Sequence, residues 1–161
     1  MTRLSLWGYE LEVDEQATRA WYAQAEEWSC TCGHCCNFLA LARERKLPEE
    51  ILHILDSLSI PAEKATYVCE LYHDESWEKK GLLYEISWRV AGAVVQTPEK
   101  KQNNGTAWGP PVVFPTFQMM VGHECYNIQP EFPEPSFDLD ISLYLPWVLD
   151  EPLDGPEEET T

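Results

Sequence analysis

The sequence predicts an α+β fold, with about three helices, mostly N-terminal, packed on a four- to five-stranded, mainly antiparallel sheet. Apolar residues recur at helical spacing as far as residue 58, and from residue 66 onward the period changes to two. The later strands have no helix-length segments between them. They must therefore pair mainly antiparallel, which leaves the three helices one sheet face to cover.

The elements follow in order along the chain. Trp7, Tyr9, Leu11 and Val13 alternate with Leu6, Gly8, Glu10 and Glu12, the signature of one half-buried strand. Asp14 stands at an N-cap position with Glu15 in the first turn. Ala17, Ala20, Trp21, Ala25 and Trp28 then recur at helical spacing, so a helix is expected over 14–27. Phe38, Leu39, Leu41 and Ala42, closed by the mostly basic run 43–46, predict a second helix over 37–46. Pro48 with Glu49 and Glu50 opens a third over 49–58, whose Ile51, Leu52, Ile54, Leu55 and Leu58 form one apolar stripe. Strands are expected at 66–72, at 82–90, near 112–121 and at 139–145, with loops over 96–111 and 127–137. In the first of these strands Tyr67, Cys69 and Leu71 form the apolar face, which makes Cys69 an expected core thiol.

A chain of 161 residues can bury roughly 70% of its unfolded surface and form a core without metal or disulfides. Residues 1–149 are read as one compact domain and 150–161 as an acidic, flexible tail. With 11 basic against 28 acidic residues, the net charge is −17. Scattered cations in such a chain do not make a phosphate-binding surface, so nucleic acid is excluded as a partner and a basic protein is favoured. No stretch has the 18 or more apolar residues of a membrane span. Glu10 and Glu12 interrupt any signal-peptide hydrophobic region, so a cytoplasmic location is expected, where the six cysteines stay reduced.

The densest constellation of chemical groups is Cys30, Cys32, Cys35 and Cys36, with His34 among them. The leading reading is packing, because free cysteine is among the most often buried residues and Trp28 and Phe38 flank the group. The competing reading is a metal site. Thiolates close together before a helix suit zinc, with Cys30, Cys32 and Cys35 as ligands and His123 or Cys125 completing the tetrahedron. A third reading is thiol chemistry, with Cys35 as nucleophile and His73 or His123 as base; Cys35 and Cys36 at a helix start are placed for a lowered pKa. His53, beside the apolar stripe of the third helix, reads as a half-buried structural residue. The chain has no glycine-rich phosphate loop, no GxSxG and no HExxH.

The segments 28–38 (the pattern WxCxCxHCxNF), 60–72 and 137–149 together resemble a family of short bacterial proteins without a characterised function. The resemblance implies a single compact domain. It also implies a frequently basic residue at the place of Cys36 and a recurring His123-Glu124 element, and it carries no activity. The expected function is a small binding or protein-interaction module, noncatalytic, with a structural cysteine loop that zinc can stabilise. The alternative is an enzyme using that loop as a catalytic metal or reactive-thiol site.

Overall fold

The computed structural model describes residues 1–98, 111–122 and 131–153. Among them are four helices and seven strands in one antiparallel sheet, an α+β architecture with more strands than the sequence suggests and one short helix beyond the N-terminal group. The strands are β1 (Thr2–Leu6), β2 (Tyr9–Val13), β3 (Tyr67–Tyr72), β4 (Leu82–Gln96), β5 (Val112–Val113), β6 (Phe117–Gly122) and β7 (Ser136–Leu145). The helices are α1 (Glu15–Gln24), α2 (Gly33–Arg43), α3 (Glu49–Ser57) and the single-turn α4 (Trp77–Lys80). The sheet order is β1-β2-β4-β7-β6-β5, with β3 also paired to β4.

The expected first strand is a hairpin. Trp7 and Gly8 both take positive φ, 48° and 92°, and form the two-residue turn that matches the twist of antiparallel strands. The turn places Leu6 opposite Tyr9, so both are buried, and the assignment of Leu6 to the opposite face is corrected. β4 is the organising strand. Leu82, Tyr84, Ile86, Trp88 and Val90 are fully buried toward the helices, and Phe137, Leu139, Ile141, Leu143 and Leu145 of β7 continue that face.

β2 and β3 lie end to end along one edge of β4. The carbonyls of Ser87, Arg89 and Ala91 point to that edge by the period of the strand. They accept hydrogen bonds from Thr66 N (2.9 Å), Tyr22 Oη (2.7 Å) and Asp14 N (2.8 Å) respectively. Thr18 Oγ1 accepts from Ala91 N at 3.1 Å. Side chains of α1 thus fill the gap between β3 and β2, which is why Thr18 and Tyr22 are the buried residues of this helix. The expected face of Ala17, Ala20 and Trp21 is only partly covered or exposed, because backbone satisfaction at the sheet gap outweighs the apolar stripe. The Asp14 cap is present, its carboxylate accepting from Ala17 N at 3.0 Å.

Two helices end with non-glycine residues in the left-handed region: Arg45 (φ 57°) after α2 and Ser59 (φ 60°) after α3. The reverse bonds Lys46 N to Leu41 O and Ile60 N to Leu55 O, both 2.9 Å, complete Schellman-type caps. Ser59→Gly should therefore raise stability by up to about 1 kcal/mol in urea denaturation, since glycine adopts this conformation without the Cβ clash.

The opposite face of β4 and β7 is also covered, and it is polar. Ser87, Arg89, Asp138 and Asp140 are each at most 2% exposed. Arg89 Nε lies 3.4 Å from Asp138 Oδ1, and its guanidinium sits 5.6 Å over the Phe132 ring. Ser87 Oγ donates to Asp140 Oδ1, and the Glu85 carboxyl stands within hydrogen-bonding reach of the Asp140 carboxyl. Burial, reinforced by the nearby Glu85 and Asp138 carboxylates, pushes Asp140 up to about 8. Its carboxyl is therefore neutral in the fold at pH 7, although an unfolded Asp ionises near pH 3.9. Stability from this group is full below about pH 4 and is lost as pH rises toward 8. Asp140→Asn should remove that component, on the order of a few kcal/mol between these limits. Urea midpoints compared at pH 5 and pH 8.5 should converge in the variant; an unchanged pH slope contradicts the assignment.

Leu153 is 8% exposed and packs on the core. The expected mobile loop over 96–111 falls largely outside the described residues, as do residues 127–130 of the expected 127–137 connection and residues 154–161 of the expected tail; of that connection, 131–135 lie outside any strand and 136–137 already belong to β7. The strand expected near 112–121 is divided into β5 and β6, which pair with each other.

Candidate metal centre

The candidate centre is built where the chain enters α2. Trp28 N donates to Glu63 O at 3.0 Å, tying the start of the cysteine segment to the turn before β3. Cys32 is the N-cap of α2, in extended conformation, and its carbonyl accepts from Cys36 N at 3.0 Å. Helix α2 therefore begins at Gly33, four residues before the start expected from the apolar pattern. Apolar periodicity does not extend into the glycine and cysteine turn that the cap makes helical.

This early start brings the thiols together. Cys32 and Cys35 stand one helical turn apart, and Cys30 precedes Cys32 by two residues. The Sγ atoms of Cys30, Cys32 and Cys35 lie within 4.8 Å of one another. Tetrahedral zinc, with Zn–S near 2.3 Å, sets its sulfurs about 3.8 Å apart, so a modest contraction brings the trio into register. Cys35 is buried, whereas Cys30 and Cys32 are exposed. Trp28 Nε1 donates to Cys35 Sγ at 3.0 Å, the type of outer contact that orients a metal-bound thiolate. Cys36 points away, its Sγ 3.5 Å from Thr31 O. His123 and Cys125, the expected completing ligands, lie outside the described residues.

The electrostatics of the trio differ from the sequence expectation. Burial pushes the Cys35 thiol up, and hydrogen bonds with Cys30 and Cys32 add to the effect. Cys35 is thus not a low-pKa nucleophile, because desolvation outweighs the helix terminus. Cys30 is shifted down, chiefly by the Cys32 backbone N–H and then by the side chains of Cys35 and Cys32. Cys69, expected in the core, is half-buried: Val68 is the core-facing residue of β3, and Leu71 is 49% exposed. The apolar look of Tyr67, Cys69 and Leu71 belongs to the outer face of that strand. His53 is exposed on α3, not half-buried.

A second group of donors adjoins the first. His34, between Cys32 and Cys35, stands with Glu70 and His73 so that one ligand atom from each lies within 4.8 Å of the others. His73 is thereby paired with Glu70, Nδ1 to Oε1 at 2.7 Å, and is not placed as a base by any contact to Cys35. Periodicity in the sequence gave no sign of this group, because residues 70 and 73 belong to opposite faces of a regular strand. Between the two clusters Tyr84 Oη donates to His34 O at 2.7 Å and accepts from Asn37 Nδ2 at 3.3 Å. Asn37 in turn donates to Pro146 O and accepts from Val148 N, locking α2 to the end of β7. Among the described residues no helix is long and apolar enough to cross a membrane. Comparison of the chain with family models, with curated proteins and with solved structures returns no match.

Proposed function

We propose that this protein is a small, noncatalytic binding module whose N-terminal cysteine loop is fixed by zinc held on Cys30, Cys32 and Cys35. The observation that supports the reading is the convergence of three thiols where the chain enters α2, with the Trp28 indole already donating to Cys35. A soft, three-sulfur donor set favours zinc over magnesium or calcium, which take oxygen ligands. A metal here ties the α1–α2 connection to the helix and stiffens the surface around exposed Cys30 and Cys32. The net charge of −17 suits a basic protein as partner, since opposite charge speeds encounter and fixes orientation.

The test is elemental analysis of protein purified without a polyhistidine tag or added zinc, together with thiol counts before and after denaturation. Stoichiometric zinc that is lost from Cys32→Ser, with Cys30 and Cys32 protected in the native state, supports the module. Metal-free protein whose thiols react freely overturns it. A second reading, a reactive-thiol enzyme, is favoured by one observation: Cys30 is exposed and its pKa is lowered by its two neighbouring cysteines. In that case Cys30 alkylates fastest in the metal-free native protein, and Cys35 slowest.

A further inference from the structure

We infer that His34, Glu70 and His73 form a second, separate site for a divalent transition-metal ion of the zinc class. The inference does not rest on the thiol site. Its donor set differs in kind, two imidazoles and one carboxylate against three sulfurs, and it is assembled from α2 and the end of β3.

The local backbone explains how the three meet. Along a regular strand, residues three apart face opposite sides of the sheet. In β3 the register with β4 shifts between Glu70 and Tyr72: Glu70 stands opposite Tyr84 and Tyr72 opposite Leu83. The extra residue, Leu71, turns the strand by half a period and brings His73 to the side of Glu70. Bulges serve this end next to functional sites, re-aiming a side chain that the pleat would send elsewhere. The face so reached is that of Val68, the side on which α2 packs, and there His34 is presented from the first helical turn.

A simple ion pair between His73 and Glu70 leaves one fact without a cause. His34 Nε2 is buried and has no hydrogen-bond partner among the described residues. A buried polar nitrogen left unsatisfied is costly, and a bound cation removes that cost. The His34 and His73 rings, with centroids 6.3 Å apart and planes at 47°, are too far apart and too inclined to stack on each other. The backbone carbonyl of His34 is held by Tyr84, so its position is set by the core and not by solvent. Zinc at about 2.1 Å from nitrogen and oxygen ligands needs donor atoms about 3.4 Å apart, which lies between the 2.7 Å of the His73–Glu70 contact and the 4.8 Å limit of the group. The His73 and Glu70 side chains keep 27% and 12% exposure, so the ion has access and a solvent molecule can take its remaining position.

Metal-free full-length protein titrated with cobalt(II) separates the two centres optically. One equivalent should bring the thiolate-to-cobalt charge-transfer band, and a second should add visible absorption without enlarging that band. Glu70→Gln and His73→Ala should each weaken the second equivalent by more than about a hundredfold, beyond the usual cost of losing an outer-shell partner, and leave the first intact. Cys32→Ser should do the reverse. Long-range nitrogen-proton spectra of the wild-type imidazoles under zinc need no variant: the nitrogens of His34 and His73 should shift, and those of exposed His53 should not. Shifted imidazoles without a thiolate band uphold this site and reject the thiol centre. Unmoved His34 and His73 under excess zinc, or full retention of both equivalents in folded His73→Ala, overturn it.

Discussion

Cys32→Ser should lower the stability of the zinc-loaded protein by about 4 kcal/mol wherever free zinc exceeds the dissociation constant a thousandfold. The size follows from linkage: zinc binds the folded loop, in which Cys32 caps α2 within reach of Cys30 and Cys35, and an unfolded chain does not preform that trio. For a chain of this length the loss corresponds to a fall in Tm of about 10 °C. In the His73→Ala background, where the second site is removed, a strong chelator should reproduce the drop and leave Cys32→Ser where it is. Cys36→Ser, whose sulfur faces Thr31 O away from the trio, should change Tm by little and leave metal content unaltered. If chelator and Cys32→Ser act additively in that background, the metal is bound elsewhere.

Gly92→Ala should cost about 4 kcal/mol or more, measured as a shift of the urea midpoint at unchanged slope. Gly92 has φ of 146°, a region that side chains rarely enter, and it faces Val13 where β4 passes from β7 to β2. A Cβ at this position would stand 1.9 Å from Glu12 O, a backbone atom of the paired strand that cannot rotate away. Gly92 N also donates to Pro135 O at 2.9 Å, so the strand cannot retreat without breaking a bond at the start of β7. The variant should weaken the β2 edge first, with amide exchange rising along β1 and β2 before the centre of the sheet. A mild effect would mean that β2 gives way readily and does not hold the Thr18 and Tyr22 contacts in place.

Local pattern decides whatever depends only on neighbouring residues. The Asp14 cap, the amphipathic stripe of α3 and the two-residue period of Leu82 to Val90 are each written within one or two turns or strand repeats, and each is present in the fold. The nearness of Cys30, Cys32 and Cys35 is of the same kind, because six residues of chain around a helix cap limit how far the sulfurs can part. Packing decided the rest. Trp7-Gly8 turns a single alternating run into a hairpin, whose second strand pairs with the far half of β4 and whose Trp7 packs against Phe114 and Phe117. The alternation of Ser87 and Arg89 with apolar residues suggests a solvent face, yet partners from β7, 53 and 49 residues away in sequence, bury it. Burial pushes the Cys35 thiol up in spite of the hydrogen bond it accepts from Trp28, against the lowering that its place at a helix start suggests. The His34, Glu70 and His73 group needs a bulge and a helix–strand contact to exist at all; both are properties of register, which only the assembled sheet fixes.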